Sequence, residues 1–316
     1  YGTSKATLSY RELIADGGQA IVGAARSAVS GPLASQAKID KLPQCSYWSS
    51  SPSLSDVLQY PYFGRTHPSD AIATRALPRL IASYGWANIG VLHVNDDYAN
   101  NYARGMRDNS RDHGVTVVAT ADYTTNDEST FEPACRSLKA SGVNVIVAVV
   151  WIHDLPQMLK ICKAVGLWGQ GNVWIGADAS APDAALAAGA AVGQTANETA
   201  ALFNGMLNFY ASPEATPGFA RLLADWPTHD ASDCANPLFN ASEYPSIWTD
   251  DVWAVTAYVY DCVVAFGIAM SQAVDPADGA EVAARFREVQ FEGASGDVQF
   301  DSCLLYTSPS PRDTNP

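Results

Sequence analysis

Residues 23–70 read GAARSAVSGPLASQAKIDKLPQCSYWSSSPSLSDVLQYPYFGRTHPSD, and this stretch decides the expected fold. A strand at residues 20–23 gives way to a helix over about residues 27–41. A second strand begins at Pro43 and ends in the hydroxyl-rich residues 48–52, and a third, residues 63–70, ends in the carboxylate of Asp70. Because strand ends in an open α/β sheet lie at one edge, we expect the three segments to form one ligand pocket.

Ser27 lies at the junction of the first strand and its helix. Its hydroxyl and the free N–H groups of the first helical turn face one spot, which suits an anion. Taken alone, Ser27 is better explained as a helix cap, and residues 49–51 as a turn.

The middle of the chain alternates between helices and strands. Helices over about residues 77–85, 98–113, 131–141 and 155–165 lead to strands at residues 89–94, 115–119, 143–150 and 173–176. Continuous apolar strands in this order predict a parallel sheet covered on both faces, and therefore a doubly wound lobe.

The last third has a weaker pattern. Five prolines between residues 212 and 248 indicate a loop-rich insertion with a short helix at residues 219–226. Helices over residues 251–273 and 280–289 follow, and residues 293–300 are predicted to form a closing hairpin. Residues 252–270 are apolar but interrupted by Asp261, so they are interpreted as a buried helix, and no membrane span is expected.

Several blocks in one order resemble a known family. They are GAARSAVS, PQCSYWSSSPSLSD, YPYFGRTHPSD, YGWANIGVLHVNDDYANN and FEGASGDVQFD. Over about residues 17–301 the chain resembles the ligand-binding region of the ANF-receptor superfamily, and most closely class C G-protein-coupled receptors of the GABA-B and metabotropic glutamate kind. The resemblance implies the α/β fold of periplasmic-binding-protein type 1, with two doubly wound lobes with parallel sheets joined by a three-crossover hinge.

The same resemblance implies a domain order. Residues 1–67 correspond to lobe I, residues 68–190 to lobe II, and residues 191–301 to the return to lobe I with the closing hairpin. The family begins with a strand and helix that this sequence lacks, so the chain is interpreted as an N-terminally truncated fragment. Residues 302–316, with three prolines after Tyr306, resemble translated adapter sequence and are interpreted as a non-native tail.

Four contacts to an amino-acid ligand on the first-lobe side are implied by the resemblance. Ser27 resembles the serine that binds the ligand carboxylate. Ser50 resembles the hydroxyl residue that contacts the amine, with Ser49 placed for a backbone contact. Asp70 resembles an acid near the amine on the first-lobe side, although it is also explained as the cap of a helix beginning near Ala71.

Two further contacts are implied in lobe II. Tyr98 resembles the tyrosine whose ring meets the ligand ammonium, an interaction that contributes about 1 kcal/mol, although it also suits the cover of a helix end. Asp178 resembles the acid that pairs with the amine. Where glutamate-binding members carry an arginine for the distal carboxylate, this chain has Asp183, which predicts a neutral or cationic ligand. Trp151 is interpreted as a buried aromatic, with a place in the cleft as the alternative.

The cysteines show no metal or redox motif. Residues 1–301 contain five cysteines without a CxxC pair or a Cys/His cluster. The resemblance implies a disulfide between Cys135 and Cys162, and the alternative is two buried thiols. The tripeptides at Asn197 and Asn240 are candidate glycosylation sites in turn-rich regions.

Composition excludes several functions. The chain has 316 residues and a formal net charge of −14, and it lacks the Lys and Arg clusters that nucleic acid requires. No GxSxG elbow, phosphate loop or metal motif is present, so an enzyme using Ser27 or Ser50, a cofactor and a metal are not expected.

We therefore expect an extracellular sensor domain at the plasma membrane. It binds a small amino-acid or amine ligand, dimerises with itself or a homologue through lobe I, and continues into a transmembrane effector missing here. The alternatives are the solute-binding protein of an amino-acid transporter and the sensor of a receptor guanylate cyclase.

Overall fold

The computed structural model describes residues 2–177, 182–229 and 252–300. Contacts divide the chain into two compact units. Unit 1 comprises the described residues within Tyr1–Ser50, Leu54–Pro68 and Ser212–Pro316, and unit 2 comprises those within Ser51–Ser53 and Ser69–Ala211. The predictions for Asp178, Asn240 and residues 302–316 lie outside the described residues.

Unit 1 begins with a helix and a parallel sheet in the order β1-β2-β3. Its elements are α1 (Thr3–Ala15), β1 (Ile21–Val22), α2 (Ser27–Asp40), β2 (Gln44–Ser46) and β3 (Phe63–Arg65). The expectation of a strand reaching Asp70 was wrong, since β3 ends at Arg65. Asp70 instead begins a helix, because the Ser69 hydroxyl caps that helix by accepting the N–H of Ala71.

Unit 2 contains a five-stranded parallel sheet in the order β5-β4-β6-β7-β8. Its elements are α3 (Asp70–Ser83), β4 (Asn88–Val94), α4 (Asp97–Ser110), β5 (Thr116–Tyr123), α5 (Phe131–Ala140), β6 (Val145–Val149), α6 (Leu155–Ala164), β7 (Val173–Gly176), α7 (Pro182–Ala191), α8 (Ala196–Phe203) and β8 (Leu207–Asn208). All five residues of β6 are buried, as expected for a strand covered on both faces. The predicted alternation of helices and strands is present.

The end of unit 2 lies further along the chain than residue 190, where the resemblance puts the return to lobe I. Helix α8 and strand β8 both belong to unit 2, which extends to Ala211. The reason is that β8 pairs in parallel with β7. Its two residues are exposed and carry no apolar run, so the sequence pattern gives no sign of a strand there.

Unit 1 resumes with three helices and a hairpin. These are α9 (Pro217–Asp225), α10 (Ala254–Gln272), α11 (Gly279–Glu288), β9 (Gln290–Gly293) and β10 (Gly296–Gln299). The antiparallel hairpin of β9 and β10 begins three residues before the predicted Gly293. Its turn is held by the buried carboxylate of Asp261, which accepts the N–H groups of Ala294 at 2.7 Å and Ser295 at 2.8 Å.

Helix α10 is the core helix of unit 1. Among the described residues it is the one helix whose length and composition match a membrane span. Its buried side chains pack in the apolar core of unit 1 with Phe286 and Val298. The interpretation of residues 252–270 as a buried helix agrees with this packing.

Two disulfides join elements within the units. Cys135 of α5 is bonded to Cys162 of α6 in unit 2, the pair that the resemblance predicts. Cys45 of β2 is bonded to Cys262 of α10 in unit 1, and this bond was not predicted. All four cysteines are fully buried.

Candidate functional site

The turn between β1 and α2 presents a helix N-terminus at the carboxyl edge of the unit 1 sheet. Ser27 is the first residue of α2 and is buried. The cap position belongs to Arg26, whose side chain makes no capping hydrogen bond. Ser27 is therefore not the helix cap, so the alternative explanation of Ser27 as a cap is wrong. A buried hydroxyl at a helix N-terminus is a suitable anion contact.

A cluster of serines holds this turn. The carbonyl oxygen of Ala24 accepts hydrogen bonds from the hydroxyls of Ser46 at 2.6 Å, Ser49 at 3.0 Å and Ser30 at 3.1 Å. The hydroxyls of Ser49 and Ser30 also lie 2.9 Å apart. The three serines are fully buried. The sequence alone did not identify Ser30 and Ser46, which fix the backbone just before Ser27.

Ser49, for which a backbone contact to the ligand stays a prediction, uses its backbone groups within unit 1. Its N–H donates to the Ser46 hydroxyl at 2.9 Å, and its carbonyl accepts from Nη1 of Arg65 at 2.9 Å. Both backbone groups thus have partners within unit 1, so Ser49 acts as a positioning residue. Ser50 follows directly, and it is also buried.

Arg65 is a fully buried cation that the sequence pattern did not single out. Its Nη2 donates to the Ser55 hydroxyl at 2.7 Å, while Nη1 holds the carbonyl of Ser49. One guanidinium therefore fixes both ends of the loop that carries Ser50. The available signal was a charged residue in a short apolar strand, because buried arginines are rare.

The neighbouring His67 has a lowered pKa. The pKa of its imidazole is lowered to about 4, mainly by burial and in addition by the positive charge of Arg65, while the hydrogen bond to the Pro68 carbonyl opposes this lowering. The ring lies edge-on against Tyr258, with 5.0 Å between centroids. His67 is thus held neutral at pH 7 beside the last residue of unit 1 before α3.

Asp70 lies in unit 2 rather than on the first-lobe side. It is the first residue of α3 and is buried, and its carbonyl accepts the hydroxyl of Thr74 at 2.8 Å. The capping role that the sequence left open belongs to Ser69 instead.

Tyr98 packs in an aromatic pair at the start of α4. Its ring centroid lies 5.3 Å from that of Trp151, and its hydroxyl reaches the carbonyl of Ala177 at 3.4 Å. Tyr98 thus contacts the residue that immediately precedes Asp178 in the sequence. Asp178 itself and the side chain of Asp183 are outside the described residues.

Two hydrogen bonds hold Trp151 in place, one from its side chain and one from its backbone. Its indole N–H donates to Oδ2 of Asp96 at 3.2 Å, and its backbone N–H donates to the Tyr123 hydroxyl at 3.1 Å. Burial raises the pKa of Tyr123, and the nearby charge of Asp154 raises it further. The phenol therefore keeps its proton and donates it to Asp154 at 3.2 Å.

The glycosylation candidate Asn197 lies in the first turn of α8 rather than in a turn-rich region. It is exposed, but Thr199 of the same tripeptide is buried and donates its hydroxyl to Gln194 at 3.1 Å. Within the described part of the chain, no group of three His, Cys, Asp or Glu residues is placed to hold a metal ion.

Comparison with known proteins gives one family. A family model described as the receptor family ligand binding region matches residues 3–310. The metabotropic glutamate receptor-like protein E of Dictyostelium discoideum is 25% identical over 274 residues, which is 82% of this chain and 30% of that protein. Human metabotropic glutamate receptor 8 is 27% identical over 161 residues, covering 50% of this chain and 18% of the receptor.

Solved structures share the fold. An ABC transporter substrate-binding protein from Desulfitobacterium hafniense superposes with a TM-score of 0.70 at 21% identity, over 98% of this chain and 81% of its own. Its complex with Leu gives the same TM-score and identity, over 96% and 80%. These matches confirm the predicted α/β fold of the periplasmic-binding-protein type. The relatives are receptors and substrate-binding proteins, not enzymes, as predicted.

Proposed function

Because the chain belongs to the receptor family ligand binding region, we propose that it is the extracellular, Venus-flytrap domain of a class C G-protein-coupled receptor. The family resemblance implies that a small amino-acid-like ligand bridges the two lobes and that closure is the signal. The chain spans less than a third of the length of the curated relatives that it matches. The transmembrane effector, the plasma-membrane location and dimerisation through lobe I are therefore parts of the proposal.

The observation that carries this proposal is the serine-held turn before α2. Three buried hydroxyls fix the Ala24 carbonyl, so the N-terminus of α2 and the Ser27 hydroxyl have a fixed geometry without any ligand. A helix N-terminus favours a carboxylate because the helix dipole is positive there. Preorganised donors of this kind reduce the ordering cost of binding.

The roles of the other contacts follow from the resemblance. Ser50 contacts the amine, Tyr98 meets the ammonium with its ring, and Asp70 and Asp178 supply negative charge. The carboxylate of Asp183, at the position where glutamate-binding relatives carry arginine, disfavours a second acidic group on the ligand. The ligand in this proposal is a neutral or cationic amino acid.

A second candidate is a solute-binding protein of an amino-acid transporter. The structures from Desulfitobacterium hafniense favour it, since they cover nearly all of this chain at a TM-score of 0.70. The two candidates predict the same pocket and differ in the domain that comes after it. Sequencing the full-length transcript separates them: seven apolar helices after residue 301 support the receptor, one helix and a cyclase domain indicate a guanylate cyclase, and a stop codon supports the solute-binding protein.

Ligand binding is tested by thermal shift on the secreted chain with a panel of amino acids and simple amines. A ligand at 100 times its Kd stabilises the native state by about 2.7 kcal/mol and raises the Tm. We expect a neutral or cationic amino acid to do so and Ser27→Ala to abolish the shift. Ser35→Ala is the matched control, because Ser35 is an exposed serine on the same helix.

Three results would contradict parts of the proposal. A folded protein that no panel member stabilises would remove the amino-acid function. A shift that survives Ser27→Ala would remove the assigned carboxylate contact, and glutamate as the strongest ligand would refute the argument from Asp183.

A further inference from the structure

The sheet of unit 2 reverses its strand order beside β4. Strand β5 follows β4 along the chain and lies on one side of it, whereas β6 lies on the other side. In open parallel α/β sheets, ligands bind outside the carboxyl ends of the strands at such a reversal. Topology alone therefore points to the residues that follow β4 and β6.

Those residues form an aromatic wall. Tyr98 follows β4 and Trp151 follows β6, and their ring planes lie at 34° with centroids 5.3 Å apart. Trp151 is held at its side chain by Asp96 and at its backbone by Tyr123. Both bonds are made within unit 2, so the indole is positioned before any ligand arrives.

The charge around this wall is negative. The carboxylates of Asp96, Asp97 and Asp154 all follow the carboxyl ends of β4 and β6. Asp96 accepts the indole N–H, so its charge lies directly beside the ring. Aromatic faces are also negative, and both features favour a cation over an anion or a neutral group.

We propose that Trp151 is a specificity-determining residue that selects ligands with a cationic side chain. The ring of Trp151 and the carboxylate of Asp96 receive an ammonium or guanidinium group carried by the ligand side chain. This inference rests on the proposed amino-acid function and adds the ligand class, a basic amino acid, that the assigned contacts leave open.

The test compares L-lysine with L-norleucine by isothermal titration calorimetry. The two amino acids have side chains of similar length and shape, and lysine adds a terminal ammonium. We expect the wild-type chain to bind lysine about fivefold more tightly than norleucine. Trp151→Leu keeps an apolar side chain and removes the aromatic face, so it lowers this ratio. Trp151→Phe retains a face and keeps part of the preference.

Trp86→Leu is the matched control. Trp86 is also half-buried, packs against the same core and stacks on an aromatic neighbour, Tyr84. It precedes β4, whereas Trp151 follows the neighbouring parallel strand β6, so the two lie about 20 Å apart at opposite edges of the sheet. The lysine-to-norleucine ratio of this variant is expected to equal that of the wild type.

The outcomes separate this inference from the proposed function. If the wild type binds neither amino acid nor any other panel member, both are refuted. If it binds norleucine as tightly as lysine, or if Trp151→Leu and Trp151→Phe both keep the wild-type ratio, only the role of Trp151 is overturned. If Trp151→Leu does not fold, the ratio measured with Trp151→Phe decides, since a wild-type ratio without the indole N–H and the larger ring contradicts the proposal.

Discussion

The disulfide between Cys45 and Cys262 should stabilise the chain more than the one between Cys135 and Cys162. The first closes a loop with a sequence separation of 217 residues, and the second closes one of 27. Cross-linking lowers the entropy of the unfolded chain by an amount that grows with the logarithm of the loop length. For these lengths the relation gives about 5.4 and about 3.6 kcal/mol.

The larger figure is an upper value because unit 2 lies inside the longer loop. If unit 1 unfolds while residues 69–211 stay folded, about 70 flexible residues remain in the loop, and the same relation gives about 4.4 kcal/mol. The order of the two bonds does not change. All four cysteines are fully buried, so the packing lost on Cys→Ala substitution is similar for both pairs.

The assay is urea unfolding of two double variants, Cys45→Ala with Cys262→Ala and Cys135→Ala with Cys162→Ala. Hydrogen exchange by mass spectrometry assigns each transition to its unit. We expect the first variant to lose about 4–5 kcal/mol in unit 1 and the second about 3–4 kcal/mol in unit 2. An equal or larger loss for the shorter loop would refute the loop-length argument, and a loss below about 2 kcal/mol in unit 1 would show that the Cys45 bond does not constrain the unfolded chain.

Three further predictions concern unit 1. Asp261→Asn places an amide donor against the N–H groups of the hairpin turn and should cost about 2–3 kcal/mol in urea unfolding, whereas the exposed Asp297→Asn should cost less than about 0.5. Arg65→Gln removes the two-point contact to Ser49 and Ser55 and should cost about 2 kcal/mol or more, so a loss below about 1 would contradict its positioning role. The pKa of His67 is lowered to about 4, so the folded state binds fewer protons than the unfolded state between pH 6.5 and 4, and stability should fall as the pH drops through that window. His67→Phe should flatten this dependence in unfolding curves at pH 4.5, 5.5 and 6.5, and an unchanged slope would assign it to other groups.

Strands β4, β6 and β7 of unit 2 were predictable because each is a largely buried run in the sheet. The strand predicted at residues 173–176 coincides with β7. The strand predicted at residues 143–150 differs from β6 only at its ends. Strand β8 was missed because it is short and exposed, and its pairing with β7 is a long-range contact. A strand is recognised in the sequence by the apolar residues that it buries, and both residues of β8 are exposed.

The candidate site was predictable in position but less so in role. Ser27 lies at the helix start as expected. The hydroxyl of Ser49 bonds to the carbonyl of Ala24, and its backbone groups bond to Ser46 and Arg65. The sequence does not distinguish a serine that contacts a ligand from one that positions a turn, because the difference lies in the hydrogen-bond partners of the folded chain. The Cys45–Cys262 bond was missed for a related reason: the partners are separated by the whole of unit 2.

Under the proposed function, the two units supply opposite charges to a ligand. Unit 1 offers the N-terminus of α2, which suits a carboxylate, and unit 2 offers aromatic rings and carboxylates beside β4 and β6, which suit a cation. A basic amino acid has a carboxylate and a side-chain cation and engages both sets, whereas the amine that lacks its carboxylate engages only the second. An amine should therefore bind more weakly than the corresponding amino acid and should be insensitive to Ser27→Ala, while Trp151→Leu weakens both. Equal sensitivity of an amine and its amino acid to Ser27→Ala would mean that Ser27 acts through the fold of unit 1 and not through the carboxylate.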